Sequence, residues 1–364
     1  MQQSAKINAS SGTSGSAKGQ RIAERLPLPR IPNHVSSELP PSTTFVICVE
    51  AGVLELQSVR LVQSLRKFGG RFAEADIIAV TPRFGPSLSK NTRIVFDNFH
   101  VDYRKISPSI SYRWNSYLNK PLALIEGEIH SKTSEICWLD TDILVMDEPT
   151  DLSLHEGEDF VACAPDKNIG TDGSDEFAPY WHELCRVLGI RFDDIPMITT
   201  HRDNQKIRLY FNSGAFAYRK STMFGESFLN NCLKLLDAKI ASHESGIFFT
   251  DQVALVLTMI QLNLRWRALS LDYNLALGEK IEQLYKPGSI ASARILHYHD
   301  AMWLKYWPTF LSHLKQERPP IYEWVSPMGP LQIDQAFDKK TLGECLRFIR
   351  KFQANRHLSK CRVF

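Results

Sequence analysis

The chain has 364 residues, 43% of them hydrophobic and 10% aromatic, and 43 basic against 40 acidic side chains leave a net charge of +3. That length and apolar content support a sizeable buried core and exclude a wholly disordered chain, while 19 glycines and 19 prolines exclude collagen-like and proline-rich architectures. So small a charge gives no electrostatic footprint for nucleic acid, and no nucleic-acid partner is expected.

Residues 1–42 read as a tail. Small polar residues fill the first twenty positions, and the proline-interrupted stretch LPLPRIPNHVSSELPP follows. Such a segment buries too little apolar area to offset its ordering entropy. A proline-rich arm docked from Leu26 onward is the alternative. No apolar secretory stretch opens the chain, and Val253 to Ile260 is too short to span a bilayer. A cytoplasmic location is expected.

The folded part begins at TTFVICVE, a β-branched run suited to a fully buried strand. Leu54, Val59, Leu61, Val62, Leu65 and Phe68 then repeat at helical spacing, and Gly69-Gly70 stops that helix. ADIIAVTP predicts a second strand and TRIVF a third; Tyr117 to Ile129 predicts a helix. SEICWLDTDILVMDEP reads as one more buried strand ending at acids. Strands alternating with helices imply an α/β fold with a mostly parallel sheet covered on both faces. Further on, DFVACAP, RLYFNSGAFAYRK and RWRALS predict strands, and Thr222 to Leu236 and Asp251 to Gln261 predict helices. Between Asp166 and Lys206 the chain reads as a long acidic loop, a candidate acceptor region.

Seven cysteines without C-x-x-C spacing suggest no zinc site, and Cys48, Cys137 and Cys163 lie in apolar runs that suit buried free thiols. Neither G-x-G-x-x-G nor G-x-x-x-x-G-K-[ST] occurs, which disfavours Rossmann dehydrogenases and P-loop enzymes.

The strongest chemical signal is Asp140-Thr141-Asp142, directly after the apolar EICWL. Open α/β sheets bind ligands at the carboxyl ends of their strands. In extended chain, two carboxylates two residues apart point the same way and can face one cation. Hard oxygen donors of this kind suit Mg²⁺ or Mn²⁺, with substrate phosphates completing the shell. The alternative is an exposed strand end carrying two solvated acids.

The segment resembles the D-x-D motif of GT-A glycosyltransferases, and further motifs stand in the order of the retaining glycogenin and bacterial lipopolysaccharide galactosyltransferase type. Asn119-Lys120-Pro121 matches the family's lysine at a helix start. Tyr210 to Phe216 matches F-N-[SA]-G-V, Asp251-Gln252 matches its D-Q pair, and His297-Tyr298 matches its H-[FY]. The resemblance covers roughly Thr43 to Trp307. It implies a GT-A-like, Rossmann-related single catalytic domain over 43–310, after the 1–42 tail and before a helical basic extension over 311–364.

The function so implied is metal-dependent transfer of a sugar, with retention, from a UDP- or GDP-sugar to a saccharide, lipid-linked or protein acceptor. Asp140, Asp142 and His297 would hold Mn²⁺ or Mg²⁺. Glu50, Lys120, Asp140, Asp166, Asn212 and Ser213 would bind the donor. Gln252 would lie nearest the anomeric carbon, with Asp251 orienting sugar hydroxyls. Each has a plainer reading: Lys120 as an exposed helix-start lysine, His297 as a core or rim histidine, Asn212-Ser213-Gly214 as a bulge, and Thr250 or Asp251 as a helix cap.

The sequence departs from the family after its H-[FY]. Asp300 stands where a glycine is usual, and Lys305 falls later than the phosphate-binding lysine; His299 or Asp300 could replace it as a metal or acceptor contact. Trp303 and Trp307 suit sugar stacking or a buried rim. In Thr341 to Phe364, six basic residues face one glutamate, and Leu342, Cys345, Leu346, Ile349 and Phe352 share a helical face. That helix either rests on an anionic membrane or packs on its own domain with its charges in water. Two other functions compete: a nucleotidyltransferase making nucleotide sugars, disfavoured by the acidic, lysine-free loop Glu50 to Glu55, and a catalytically silent nucleotide-sugar-binding protein of the same fold.

Overall fold

Apolar runs bounded by turn residues become the strands of a seven-stranded central sheet. The computed structural model describes residues 42–166, 170–243, 246–247, 250–277, 288–333 and 337–364. Apart from Ser42, the expected tail and the alternative docked arm lie outside the described residues. The first half runs β1 (Thr43–Cys48), α1 (Val53–Phe68), β2 (Asp76–Thr81), α2 (Lys90–Asn98), β3 (Val101–Lys105), α3 (Asn119–His130), β4 (Glu135–Leu139), β5 (Ile143–Val145) and β6 (Phe160–Cys163). Then follow α4 (Ala178–Leu188), β7 (Met197–Thr199), β8 (Lys206–Arg208), β9 (Asn212–Arg219), α5 (Phe224–Asp237), β10 (Ile240–Ala241) and α6 (Thr250–Gln261). The last strands are β11 (Trp266–Leu269), β12 (Leu275–Ala276), β13 (Ile295–His297) and β14 (Arg362–Val363), with a C-terminal helix over Phe337–Leu358.

The central sheet has the order β11-β6-β9-β4-β1-β2-β3. Its pairs are parallel except that β9 runs antiparallel to both β4 and β6. Alternate residues of β1 feed opposite faces. Phe45 and Ile47 pack with α1 and α2 side chains such as Leu61, Leu65 and Phe96, and Val46 joins a larger cluster with Leu124, Phe216, Phe228 and Leu255. Each such fully buried side chain contributes about 1.5–3 kcal/mol. A Cβ at Gly127 would meet Val46 Cγ2 at 2.4 Å, so a glycine lets α3 lie directly on β1. A smaller sheet, β12-β13-β5, carries a third cluster in which Leu144, Leu296 and Tyr298 pack on Phe310, Leu314 and Val325.

Several predicted boundaries change. TRIVF is not a strand; it lies in α2, whose N-cap Ser89 accepts a hydrogen bond from the Thr92 amide at 3.1 Å, and the third strand follows at Val101. The single strand expected from SEICWL to MDEP is two, because β4 pairs with β9 while β5 turns away to pair with β13. The supposed loop 166–206 holds α4, with Tyr180, Trp181, Leu184, Cys185 and Leu188 buried on one face, and the hairpin strand β7. Cys48, Cys137 and Cys163 are buried free thiols, as expected. Among the described residues no helix is long and apolar enough to cross a membrane.

Candidate active site

Strand register assembles the site. Leu139 pairs with Ala215 in the β4–β9 ladder, and the next amide, Asp140, donates to the Gly214 carbonyl at 2.8 Å. His297 pairs with Ile143 in the β13–β5 ladder, and the Tyr298 amide donates to the Asp142 carbonyl at 3.0 Å. Asp140 is thus tied to one sheet and Asp142 to the other. The chain turns between them, so the two carboxylates do not share the single direction that an extended strand predicts.

Asp140 faces Lys120. This lysine, second in α3, is buried rather than an exposed helix-start residue. Its Nζ donates to the Ser213 carbonyl at 2.8 Å and to Ser213 Oγ at 2.7 Å, and lies 3.3 Å from carboxylate oxygens of both Asp140 and Asp251. It also sits 5.4 Å from the Trp138 ring centroid. Burial by itself would lower the Lys120 pKa, but Asp140 and Asp251 outweigh it and hold it above its ordinary value. Burial raises the Asp251 carboxyl pKa, with Asp140 adding to the rise and Lys120 opposing it. Trp138 Nε1 donates to Asp140 Oδ1 at 2.7 Å. Asp251 is therefore more than a helix cap: it is a buried member of a four-residue polar cluster.

Asp142 faces two imidazoles. Its Oδ1 lies 3.0 Å from His297 Nε2 and its Oδ2 lies 3.3 Å from His299 Nδ1. Burial opposes ionisation of Asp142, yet the two histidines hold its carboxyl well below the usual carboxylate range. His297 is buried, which would lower its pKa; Asp142 and then Asp140 reverse this and raise it. With Nδ1–H donated to Asn274 Oδ1 at 3.1 Å, His297 presents Nε2 to the acid. His299 reaches the same acid from a left-handed backbone position, φ 44°, its ring centroid 4.0 Å from that of His297. A Cβ on Gly214 would lie 2.8 Å from His297 Nδ1 and 2.9 Å from Asn274 Oδ1, so glycine is required here for space.

The ligand atoms of Asp142, His297 and His299 lie within 4.8 Å of one another, a separation that fits one divalent ion. Of the expected trio, Asp142 and His297 come together. Asp140 is not in this group, and His299 takes the third place. A carboxylate and two imidazoles with an outer-shell amide fixing one ring are a coherent donor set for a transition-series cation.

The other expected residues are dispersed around these clusters. Glu50, after β1, accepts from Arg83 Nη2 at 2.8 Å and from Asn119 Nδ2 at 3.0 Å. Asn212 Oδ1 accepts from the Gly214 amide at 3.1 Å, which makes it in part the local turn expected of a bulge. Gln252 Oε1 accepts from the buried Tyr210 hydroxyl at 2.7 Å. Asp166 pairs with Arg202 at 3.6 Å. Trp307 is a buried member of the third core cluster. Sequence reasoning missed Asn274 and Arg83, which lie in no motif, and the role of Tyr210, the first residue of a matched motif; each acts only through a partner distant in the chain.

A cavity of about 870 Å³ opens beside Glu50, between the loops after β1 and β2 and the C-terminal helix. That helix turns Lys339, Arg347 and Arg350 towards the cavity, while Phe337, Phe348 and Phe352 are exposed. Of the expected apolar face, Leu342, Cys345, Ile349 and Phe352 are exposed among the described residues, while Leu346 lines the cavity.

A family model described as the Rhodobacterales glycosyltransferase domain matches residues 45–263, more than half of the chain. The chain belongs to this family. This glycosyltransferase is also similar in structure to the apo WbbM bifunctional glycosyltransferase, at 13% identity and a TM-score of 0.45 over 80% of this chain and 52% of that one. A second similar structure is the glycosyltransferase GlyE of Streptococcus pneumoniae TIGR4, at 14% identity and a TM-score of 0.46 over 81% of this chain and 65% of that one. The chain therefore spans about half to two thirds of the length of these two structures. No curated protein matches it.

Proposed function

We propose that this glycosyltransferase moves a sugar, with retention, from a UDP- or GDP-linked donor to a saccharide, lipid-linked or protein hydroxyl, and that residues 43–310 carry the chemistry. The convergence of Asp142, His297 and His299 carries the metal-dependent reading. Two imidazole ligands favour Mn²⁺ over Mg²⁺, which takes mostly oxygen donors. A bound divalent cation supplies Lewis-acid stabilisation of the departing diphosphate, worth several kcal/mol.

In the reaction the anomeric C–O bond to the diphosphate breaks and a bond to the acceptor oxygen forms. The acceptor proton passes to the leaving diphosphate. Lys120 is a positioning residue: its three anchors hold Asp140 and Asp251 in fixed orientation towards the donor. Asp251, Asn212 and Asp166 orient sugar hydroxyls of the donor, and Ser213 keeps Lys120 in register. Gln252, its amide fixed by Tyr210, stabilises positive charge at the anomeric carbon, since an amide is a poor nucleophile. Glu50, held by Arg83 and Asn119, meets the ribose or base. A membrane contact of the C-terminal helix would run through its exposed Phe348 and Phe352, flanked by Arg356 and Lys360.

Calorimetry with UDP, GDP and their sugars, with and without Mn²⁺, tests this reading. Binding of one nucleotide that strengthens with Mn²⁺ is expected. Absence of nucleotide binding in saturating Mn²⁺ would overturn it.

A further inference from the structure

The cavity beside Glu50 is lined by an excess of cations. Lys339, Lys340, Arg347, Arg350 and Lys351 come from the C-terminal helix and Arg83 from the opposite wall, against only Glu50 and Glu344. Some of these are spoken for. Arg83 pairs with Glu50, Arg350 donates to the Phe84 carbonyl, and Lys339 donates to the Ser87 carbonyl at 2.9 Å. Among the described residues Arg347 and Lys351 make no hydrogen bond or ion pair, and Glu344, about one turn from Arg347 and two from Lys351, joins neither.

Like charges at i and i+4 on a helix repel, and these two are about 6 Å apart along the axis. Burial and the nearby Arg83 both lower the Arg350 pKa, a mark of the local positive potential. The helix is nevertheless held in place at both ends, by Lys339 on the Ser87 carbonyl and by β14 paired with β10. His357 lies against Tyr112 and Trp114, with ring centroids 5.2 and 5.3 Å apart. A repelling pair on an anchored helix, facing a cavity at the carboxyl ends of parallel strands, is arranged for a bridging dianion.

We infer that the C-terminal helix is a phosphate-binding wall of this cavity, opposite the Glu50 wall, with Arg347 and Lys351 contacting phosphate oxygens of a nucleoside diphosphate whose metal-facing oxygens lie beyond the cavity lining, at Asp142, His297 and His299. This rests on the donor class proposed above and adds a part of the chain beyond the matched family region. The i, i+4 spacing suits adjacent phosphates, and charge-assisted bonds from both side chains replace their mutual repulsion with attraction.

Titration calorimetry of the full chain with UDP, GDP and inorganic diphosphate, in Mn²⁺, tests it. The double variant Arg347→Gln/Lys351→Gln is compared with Lys132→Gln/Lys234→Gln, which removes equal charge from exposed residues outside the cavity. The first pair should weaken nucleotide and inorganic diphosphate binding about tenfold or more, and the control pair by less than about twofold. Equal effects of the two pairs, or no effect of the first, overturn the inference while leaving the donor reading intact. If the unaltered chain binds inorganic diphosphate but no nucleotide, the donor reading fails, and loss of that binding in the first pair alone upholds the phosphate wall. Binding of none of the three ligands overturns both.

Discussion

Asp140 and Asp142 stand two residues apart, yet their charges are compensated in different ways. Asp140 shares a buried ammonium with Asp251, and Ser213 and Trp138 supply further hydrogen bonds, so the protein completes this cluster from its own side chains. Asp142 is matched by two imidazoles, groups that neutralise an acid only when protonated and become metal ligands when they are not. The first arrangement is closed and holds position. The second is a donor set able to exchange its protons for a cation, so the two acids of one short motif differ in what they can bind.

The sharpest way to break this contrast is to remove the lysine. Lys120→Met leaves Asp251 buried without its countercharge, and a stability loss of about 3–5 kcal/mol is expected in urea unfolding. A loss below about 1 kcal/mol would show that the cluster is not the scaffold described. Asp142→Asn should cost some stability, because both histidines favour the ionised carboxyl, but its larger effect falls on turnover, down by about a thousandfold, equivalent to several kcal/mol of transition-state stabilisation. Retained transfer activity would place the cation elsewhere.

Two milder changes refine the comparison. Asn274→Ala removes the partner of His297 Nδ1 and should weaken Mn²⁺ affinity about 10–100-fold, measured by calorimetry, with Lys120 and its partners undisturbed. Gly214→Ala forces a methyl onto His297 and Asn274, and overpacking of about 1–3 kcal/mol is expected. Because Ser213 serves Lys120 and Gly214 adjoins His297, this variant should lower Mn²⁺ affinity while Ser213→Ala does not. Equal effects would mean that the clusters are coupled.

Much of this was legible in the chain. The buried strands β1, β2, β4 and β6 announce themselves by β-branched and apolar runs, and α6 by its length and composition. Burial of Tyr180, Trp181, Leu184, Cys185 and Leu188 follows a helical period that the surrounding acids and turn residues mask in the sequence. TRIVF misleads for the converse reason. Its β-branched residues suit a strand, and the Ser89 cap with packing of Phe96 beneath the sheet made it helix.

What the sequence by itself determined was the class of fold, the motif positions and the types of chemical group available. Those depend on local periodicity and residue identity, which act over a few neighbours. Tertiary structure alone decided which groups meet: that β4 and β5 part company between the two aspartates, that His299 joins His297 on Asp142, and that Asp140 goes to Lys120. Ladder register and a chain turn set those pairings across separations that run from 20 residues, Lys120 to Asp140, to 157, Asp142 to His299, and electrostatic partnership at 3 Å follows from where the backbones are held.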